Sequence, residues 1–127
     1  MTYRQGQCRL RAVRGATTVA ADDAGSIVAA TAELLETMLA RNGIEHDDLV
    51  SLTFTATPDL TAEFPAAAAR VLGISDVPLL CATEIDVRGA VARCIRIMMH
   101  LYSDRERSSL RHVYLGDARQ LRTDLPE

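Results

Sequence analysis

One amphipathic stretch dominates the first third of the chain. Six residues recur there at steps of three and four: Ile27, Thr31, Leu34, Leu35, Met38 and Leu39. This spacing predicts a helix over residues 23–41 with one buried face. Asp22 and Asp23 offer an N-cap and a first-turn carboxylate. Asn42-Gly43 ends the helix, because both residues tolerate the left-handed conformation.

Five other segments have the composition of strands. Residues 50–56 alternate apolar and polar side chains without a break, as a half-buried strand does. Residues 94–102 suit either a buried helix or a strand, and a strand there would complete a mixed sheet. The remaining strands are predicted at residues 8–13, at residues 77–83 and at residues 112–115. The first of them is predicted to end at the segment Arg14-Gly15-Ala16-Thr17-Thr18.

A short second helix is predicted between Pro65, which suits a first helical turn, and Gly73. The resulting order β-α-β-α-β-β-β predicts an α/β (α+β) fold, one mixed sheet covered by one long helix. The chain has 127 residues and no repeat or linker, so we expect a single domain over residues 1–127. One sheet face lacks a helix, which favours an oligomer.

Charge and composition exclude several classes of function. All basic residues are arginine, 14 against 17 acidic residues, and their scatter along the chain argues against nucleic-acid binding. No apolar run reaches the roughly 20 residues that span a bilayer, and the N-terminus lacks a signal-peptide core. We therefore expect a cytoplasmic protein. Three cysteines without C-x-x-C spacing and three separated histidines give no sequence-local metal site.

The sequence contains no conventional catalytic motif, neither a phosphate loop nor a nucleophile elbow nor a zinc-protease helix. A Cys81–His112 nucleophile pair stays open, although the apolar neighbours of Cys81 favour an inert thiol. Arg96 lies between large apolar residues, and Glu84 ends an apolar strand. A strand arginine usually lies on a solvated face, but a buried Arg96 would need Glu84 or a bound anion as its partner.

Five collinear blocks resemble the trimeric α/β chorismate mutases, the AroH class. They are VRGATTV at residues 13–19, ATPDL at 56–60 with FPA at 64–66, VPLLC at 77–81 with EIDV at 84–87, CIRIMM at 94–99 and RHVYL at 111–115. The resemblance runs from about residue 10 to about residue 125. It implies an isomerase that converts chorismate to prephenate for phenylalanine and tyrosine synthesis. It also implies a homotrimeric pseudo-α/β barrel, with active sites between subunits and no cofactor or metal.

The resemblance also implies roles for individual residues. Arg14 and Tyr114 would hold substrate carboxylates, and Arg96 would bind the ether oxygen together with a carboxylate. Glu84 would accept a hydrogen bond from the ring hydroxyl. The other implied substrate contacts and entrance residues are Phe64, Arg70, Leu80, Cys81, Ala82, Thr83, Leu121 and Arg122.

Two other functions stay open beside this resemblance. Where the family often has a lysine after Phe-Pro-Ala, this chain has Ala67, which puts substrate affinity in doubt. That departure favours a non-catalytic trimer that binds a small dicarboxylate in an arginine-lined cleft. A trimeric deaminase on a similar barrel is disfavoured by the matched motifs. The rearrangement itself moves no proton and needs no covalent intermediate, so a chain without a nucleophile can still be an enzyme.

Overall fold

Strands and helices alternate along the first half of the chain and build one mixed sheet. The computed structural model describes residues 8–122. The strands are β1 (Arg9–Thr18), β2 (Leu49–Ala56), β3 (Leu79–Thr83), β4 (Cys94–Ser103) and β5 (Val113–Tyr114), and the helices are α1 (Ala24–Arg41) and α2 (Ala67–Val71). Short 3₁₀ helices occupy residues 46–48, 107–109 and 116–121. The predicted order of strands and helices and the mixed sheet are confirmed.

The sheet has the order β3-β2-β4-β1-β5, with β4 at its centre. β4 is antiparallel to β1 and β2, whereas β3 and β5 run parallel to their neighbours. Ala16 pairs with Arg96, and Arg14 pairs with Met98. Since alternate residues of a strand share a face, Arg14 and Arg96 project from the same side of the sheet.

Helix α1 covers the opposite side. Its buried residues are the six of the predicted stripe, Ile27, Thr31, Leu34, Leu35, Met38 and Leu39. Asp23 is the N-cap, because its carboxylate accepts the Ser26 N–H at 2.7 Å. Gly43 follows the helix with φ +59°, as the Asn-Gly pair predicted. None of the helices within residues 8–122 has the length and apolar character to cross a membrane.

Residues 94–102 lie within the central strand, which resolves their ambiguity in favour of a strand. Ile95, Ile97, Met99 and Leu101 are buried, whereas Arg96, between the first two, and Tyr102, after the last, are exposed. Side chains of β4 therefore alternate between the core under α1 and the open face. We name this side, which carries Arg14 and Arg96 and is not covered by α1, the open face.

The predicted end of the first strand is wrong. β1 continues through Arg14 and Gly15 to Thr18, so Arg14 lies within the strand instead of closing it. Gly15 stands where α1 crosses the sheet, and a Cβ there would collide with the sulfur of Met38. The glycine permits close packing of helix on strand and does not end the strand.

Three smaller predictions also need correction. Asp22 does not act in the first turn of α1; its carboxylate accepts the N–H groups of Thr61 at 2.9 Å and Ala62 at 3.0 Å. These bonds lower the pKa of Asp22, and the bond from the Thr61 N–H has the largest effect. β3 begins after Pro78, which has no N–H to donate to a neighbouring strand. α2 begins at Ala67, two residues beyond the predicted start.

Candidate active site

A cavity of about 230 Å³ lies on the open face. Arg14 from β1, Arg96 from β4 and Tyr114 from β5 line it, so the sheet brings three of the predicted residues together. Side chains from β2 and β4 complete the wall: Thr53, Thr55 and Met98. The cavity thus combines two guanidinium groups, a phenol and two hydroxyls on one rigid sheet.

Arg96 is paired with Glu84, the partner that the sequence suggested. Its Nε lies 3.1 Å from Oε2 of Glu84, and the two side chains are 47% and 20% exposed. The Thr55 hydroxyl donates to the same oxygen at 2.6 Å. The Glu84 N–H donates to the carbonyl of Ala56 at 2.9 Å, which holds the residue just beyond the end of β3. Arg96 is therefore neither a buried charge nor an unpaired solvated one.

Arg14 is held by the parallel pairing of β1 with β5. Its backbone N–H donates to Nδ1 of His112 at 3.0 Å, and Ala16 pairs with Tyr114. Burial lowers the pKa of His112, and the positive charges of Arg14 and Arg122 lower that pKa further. At neutral pH His112 is thus uncharged and can accept the Arg14 N–H. Arg122 lies near this end of the sheet, as its effect on His112 requires.

A second group of predicted residues lines a separate cleft of about 510 Å³ beside β3 and α2. Its wall includes Phe64, Arg70, Leu80 and Cys81, and also Ala67 at the position where the resemblance expects lysine. An adjoining cleft of about 310 Å³ is bordered by Ala82 and Thr83, together with Phe64 and Cys81. Phe64 is 71% exposed and Leu80 is 64% exposed, so both clefts present apolar surface to the outside.

The two groups are separated within one chain. Cys81 pairs with Phe54, whose buried side chain points into the core, whereas Arg96 pairs with Thr55 on the open face. Cys81 and Arg96 therefore project from opposite sides of the sheet. Leu80 and Ala82 are at the β3 edge and share the side of Arg96.

Leu121 belongs with the first group, since it packs with Tyr114 against the same small cluster, Ala16, Cys94 and Ala118.

The structure rules out a Cys81–His112 pair within one chain. Cys81 lies on β3 and His112 directly precedes β5, at the two opposite edges of the sheet. Four strand spacings of about 4.8 Å separate those edges by roughly 19 Å. Cys94 is buried, and burial raises the pKa of its thiol, so it stays protonated and unreactive.

No group of three or more His, Cys, Asp or Glu side chains that could hold a metal occurs within residues 8–122. The chemistry that the open face offers is electrostatic. Two fixed cations can bind two carboxylates, a carboxylate can orient a hydroxyl, and no group here is arranged as a nucleophile with its base.

Thr53, Thr55 and Met98 are among the lining residues of the first cavity that sequence reasoning missed. The alternation of residues 50–56 showed that the two threonines share a face. It did not show that this face meets Arg96, because the strand register depends on contacts far apart in the sequence. Met98 was hidden in an apolar run where neither face was distinguishable.

Comparison with known proteins shows the family of this chain. The family model described as chorismate mutase type I matches residues 10–125. The chain is 46% identical over 117 residues to chorismate mutase AroH of Thermus thermophilus, covering 91% of this chain and 96% of that protein. It is 44% identical over 117 residues to chorismate mutase AroH of Bacillus subtilis, covering 91% and 92%.

A solved structure gives the same answer at the level of the fold. A chorismate mutase from Clostridium thermocellum superposes with a TM-score of 0.86 at 48% sequence identity, covering 87% of this chain and 98% of that one. The region that the family model matches, residues 10–125, contains both groups of site residues described above. This chain belongs to the chorismate mutase type I family.

Proposed function

We propose that this chain is an isomerase that converts chorismate to prephenate, a step of phenylalanine and tyrosine biosynthesis. The observation that carries the proposal is the single cavity shared by Arg14, Arg96 and Tyr114, with Glu84 ion-paired to Arg96. Membership of the chorismate mutase family supports it. The proposal assigns this activity to one domain in the cytoplasm, without a nucleic-acid or membrane partner.

The reaction is unimolecular and pericyclic: a C–O bond breaks while a C–C bond forms. Chorismate has two carboxylates, and holding both places the enolpyruvyl arm over the ring. Arg14 and Tyr114 would bind carboxylate, and because both side chains stand on adjacent sheet strands they are held in a constant relative position. This lowers the entropic part of the activation free energy, because binding already selects the reactive conformation of the substrate.

Arg96 would act on the bond that breaks. Negative charge grows on the ether oxygen in the transition state, and a preplaced guanidinium binds that charge more strongly than it binds the ground state. Because Nε of Arg96 already donates to Glu84, the terminal nitrogens would contact the ether oxygen and a carboxylate. Glu84 would accept the ring hydroxyl. Arg96 and Glu84, the two residues proposed to act at the ether oxygen and the ring hydroxyl, lie together on one chain, and in this proposal no cofactor or metal takes part.

We further propose a homotrimer with its active sites between subunits, forming a pseudo-α/β barrel. In one chain Phe64, Arg70 and Cys81 lie apart from the cavity of Arg96. Phe64, Leu79 and Leu80 are exposed apolar side chains of this cleft, and the exposed Val71 follows Arg70 in the sequence. Ile85 and Val87, which follow β3, are exposed apolar side chains as well. Exposed large apolar side chains grouped in this way are typical of a subunit interface. Docking the β3 edge of one protomer on the open face of the next would complete each site.

In such a trimer the second group would form the other wall of the site. Leu80, Cys81, Ala82 and Thr83 would lie near the substrate ring and its hydroxyl. Phe64 and Leu121 would supply apolar wall, and Arg70 with Arg122 would stand at the entrance. Ala67 there contributes no charge, so the binding of the dianionic substrate would depend more on arginines.

An assay with chorismate and no additive tests the proposed function. We expect the diene absorbance of chorismate to fall and prephenate to appear, and we expect excess EDTA to leave the rate unchanged. A dicarboxylate-binding protein would bind chorismate without consuming it, and that result would refute the proposal. If EDTA abolished the activity and only added Zn²⁺ or Mg²⁺ restored it, the metal-free mechanism would be refuted.

A further inference from the structure

Thr55 stands at the centre of the ion pair that the proposed mechanism uses. It lies on β2, its Cα partner on β4 is Arg96, and its side chain lines the same cavity as that guanidinium. The Thr55 hydroxyl donates to Oε2 of Glu84 at 2.6 Å, and Nε of Arg96 lies 3.1 Å from the same oxygen. One carboxylate oxygen therefore receives both donors.

This arrangement decides how the carboxylate of Glu84 is oriented. A glutamate side chain has three rotatable bonds, and an ion pair with a half-exposed arginine restricts them little. Thr55 is β-branched and sits in a strand, so its own rotamer is restricted. Its hydroxyl defines which oxygen meets Arg96, and Oε1 stays available for a hydroxyl of the substrate.

We propose that Thr55 is a positioning residue for the rearrangement. Through its bond to Oε2 it holds Glu84, and Glu84 in turn holds the Arg96 guanidinium in the plane from which its terminal nitrogens reach the ether oxygen. The inference rests on the proposed function, and it adds a residue that itself makes no contact with a reacting atom. No bond forms or breaks at Thr55 during the reaction.

Replacing Thr55 with valine, which has the same shape and no hydroxyl, tests the role. The lost bond is one to a charged group, so we expect kcat to fall about tenfold. KM should change less, because Arg14 and Tyr114 still bind the carboxylates. Thr55→Ser keeps the hydroxyl and should retain kcat within about twofold. A purely structural role would lower the melting temperature and leave kcat of the folded enzyme unchanged.

A double-mutant cycle shows whether Thr55 acts through Glu84. Once Glu84 is replaced by alanine, the hydroxyl has no carboxylate to hold. Adding Thr55→Val to Glu84→Ala should therefore change kcat by less than about twofold, against about tenfold in the native background. Additive losses in the double variant would show that Thr55 acts on the reaction by another route and would overturn the inference.

The outcomes separate this inference from the function on which it rests. If the native protein does not convert chorismate, the proposed function fails. If it does, and Thr55→Val matches both the native protein and Thr55→Ser in kcat, only the role of Thr55 fails. Thr55→Ala also lacks the hydroxyl and serves as a second test if the valine variant does not fold. Equal kcat in the alanine and serine variants would contradict the inference.

Discussion

Arg96 donates through Nε to a carboxylate that a neighbouring hydroxyl also holds. The sequence identified the arginine and the carboxylate, because charges inside apolar runs are conspicuous. It did not identify Thr55, since a threonine on an alternating strand is ordinary until the strand register is known. At this scale the sequence therefore predicts which charges meet and fails to predict the neutral groups that orient them.

A histidine beside the site makes stability depend on pH. The pKa of His112 is lowered from 6.5, chiefly by burial and then by the charges of Arg14 and Arg122. Below pH 6.5 the unfolded chain therefore binds a proton that the folded chain refuses. Stability should be full above that pH, should fall as the pH drops towards the folded pKa, and should fall no further from this group beyond it.

We expect His112→Asn, whose amide oxygen can accept the Arg14 N–H without titrating, to weaken this dependence. The free energy of unfolding in urea at about pH 7.5 and about pH 5.5 measures this dependence. Between these two pH values the native chain should lose more stability than the variant does. Asp22 and Asp59 do not confuse the comparison, because their pKa values are lowered from 3.8 and they titrate at more acid pH. An equal loss in both proteins would refute the role of His112.

Strands and helices were predicted well where one face is apolar. They were predicted poorly where contacts with other elements determine the bounds or the type of the element. All six residues of the α1 stripe are buried as the periodicity required. β1 was predicted too short, because Gly15 resembles a strand end until Met38 of α1 is placed against it. β4 was ambiguous in sequence because Met98 interrupts its alternation, and only its central place in the sheet makes it a strand.

The beginning of β4 depends on a residue with an unfavourable backbone. Arg93 has φ +45°, in the left-handed region that non-glycine residues avoid. Its N–H donates to Asp59 and its Nε to the carbonyl of Val19, each at 2.9 Å. These bonds hold the turn from which β4 departs, because Arg93 directly precedes Cys94, the first residue of β4, and lies three residues before Arg96.

Glycine and alanine at position 93 separate the backbone strain from the side-chain bond. Both variants lose the Nε bond to Val19, and only alanine keeps a Cβ in the left-handed region. We therefore expect Arg93→Gly to be more stable than Arg93→Ala by about 1 kcal/mol in denaturant unfolding. An alanine variant as stable as the glycine variant would show that this turn relaxes without strain.

The whole molecule has one sheet face covered by α1 and one left open, and the two groups of site residues lie apart. Within the chain, Arg14, Glu84, Arg96 and Tyr114 meet through strand pairing. The resemblance assigned both groups to one site, and composition alone assigned neither. How two copies meet is a property of surfaces, which hydrophobic periodicity within one chain does not encode.

An exposed residue on the β3 edge tests the proposed assembly. Leu80 is 64% exposed in the single chain, so Leu80→Glu should leave the fold intact. Burying the new carboxylate at an interface is unfavourable, so we expect light scattering to show a trimer for the native chain and smaller particles for the variant. Ala92→Glu, at another exposed position, should stay trimeric. A variant that keeps the native mass would place the interface elsewhere.

The turnover of Arg96→Ala with chorismate tests most directly whether the half-exposed guanidinium at position 96 stabilises the departing oxygen. Removing one such donor typically lowers kcat by about 10²–10³. The account predicts a loss of at least that size in a variant whose circular dichroism and mass match the native protein. Turnover close to native in such a folded, assembled variant would contradict it.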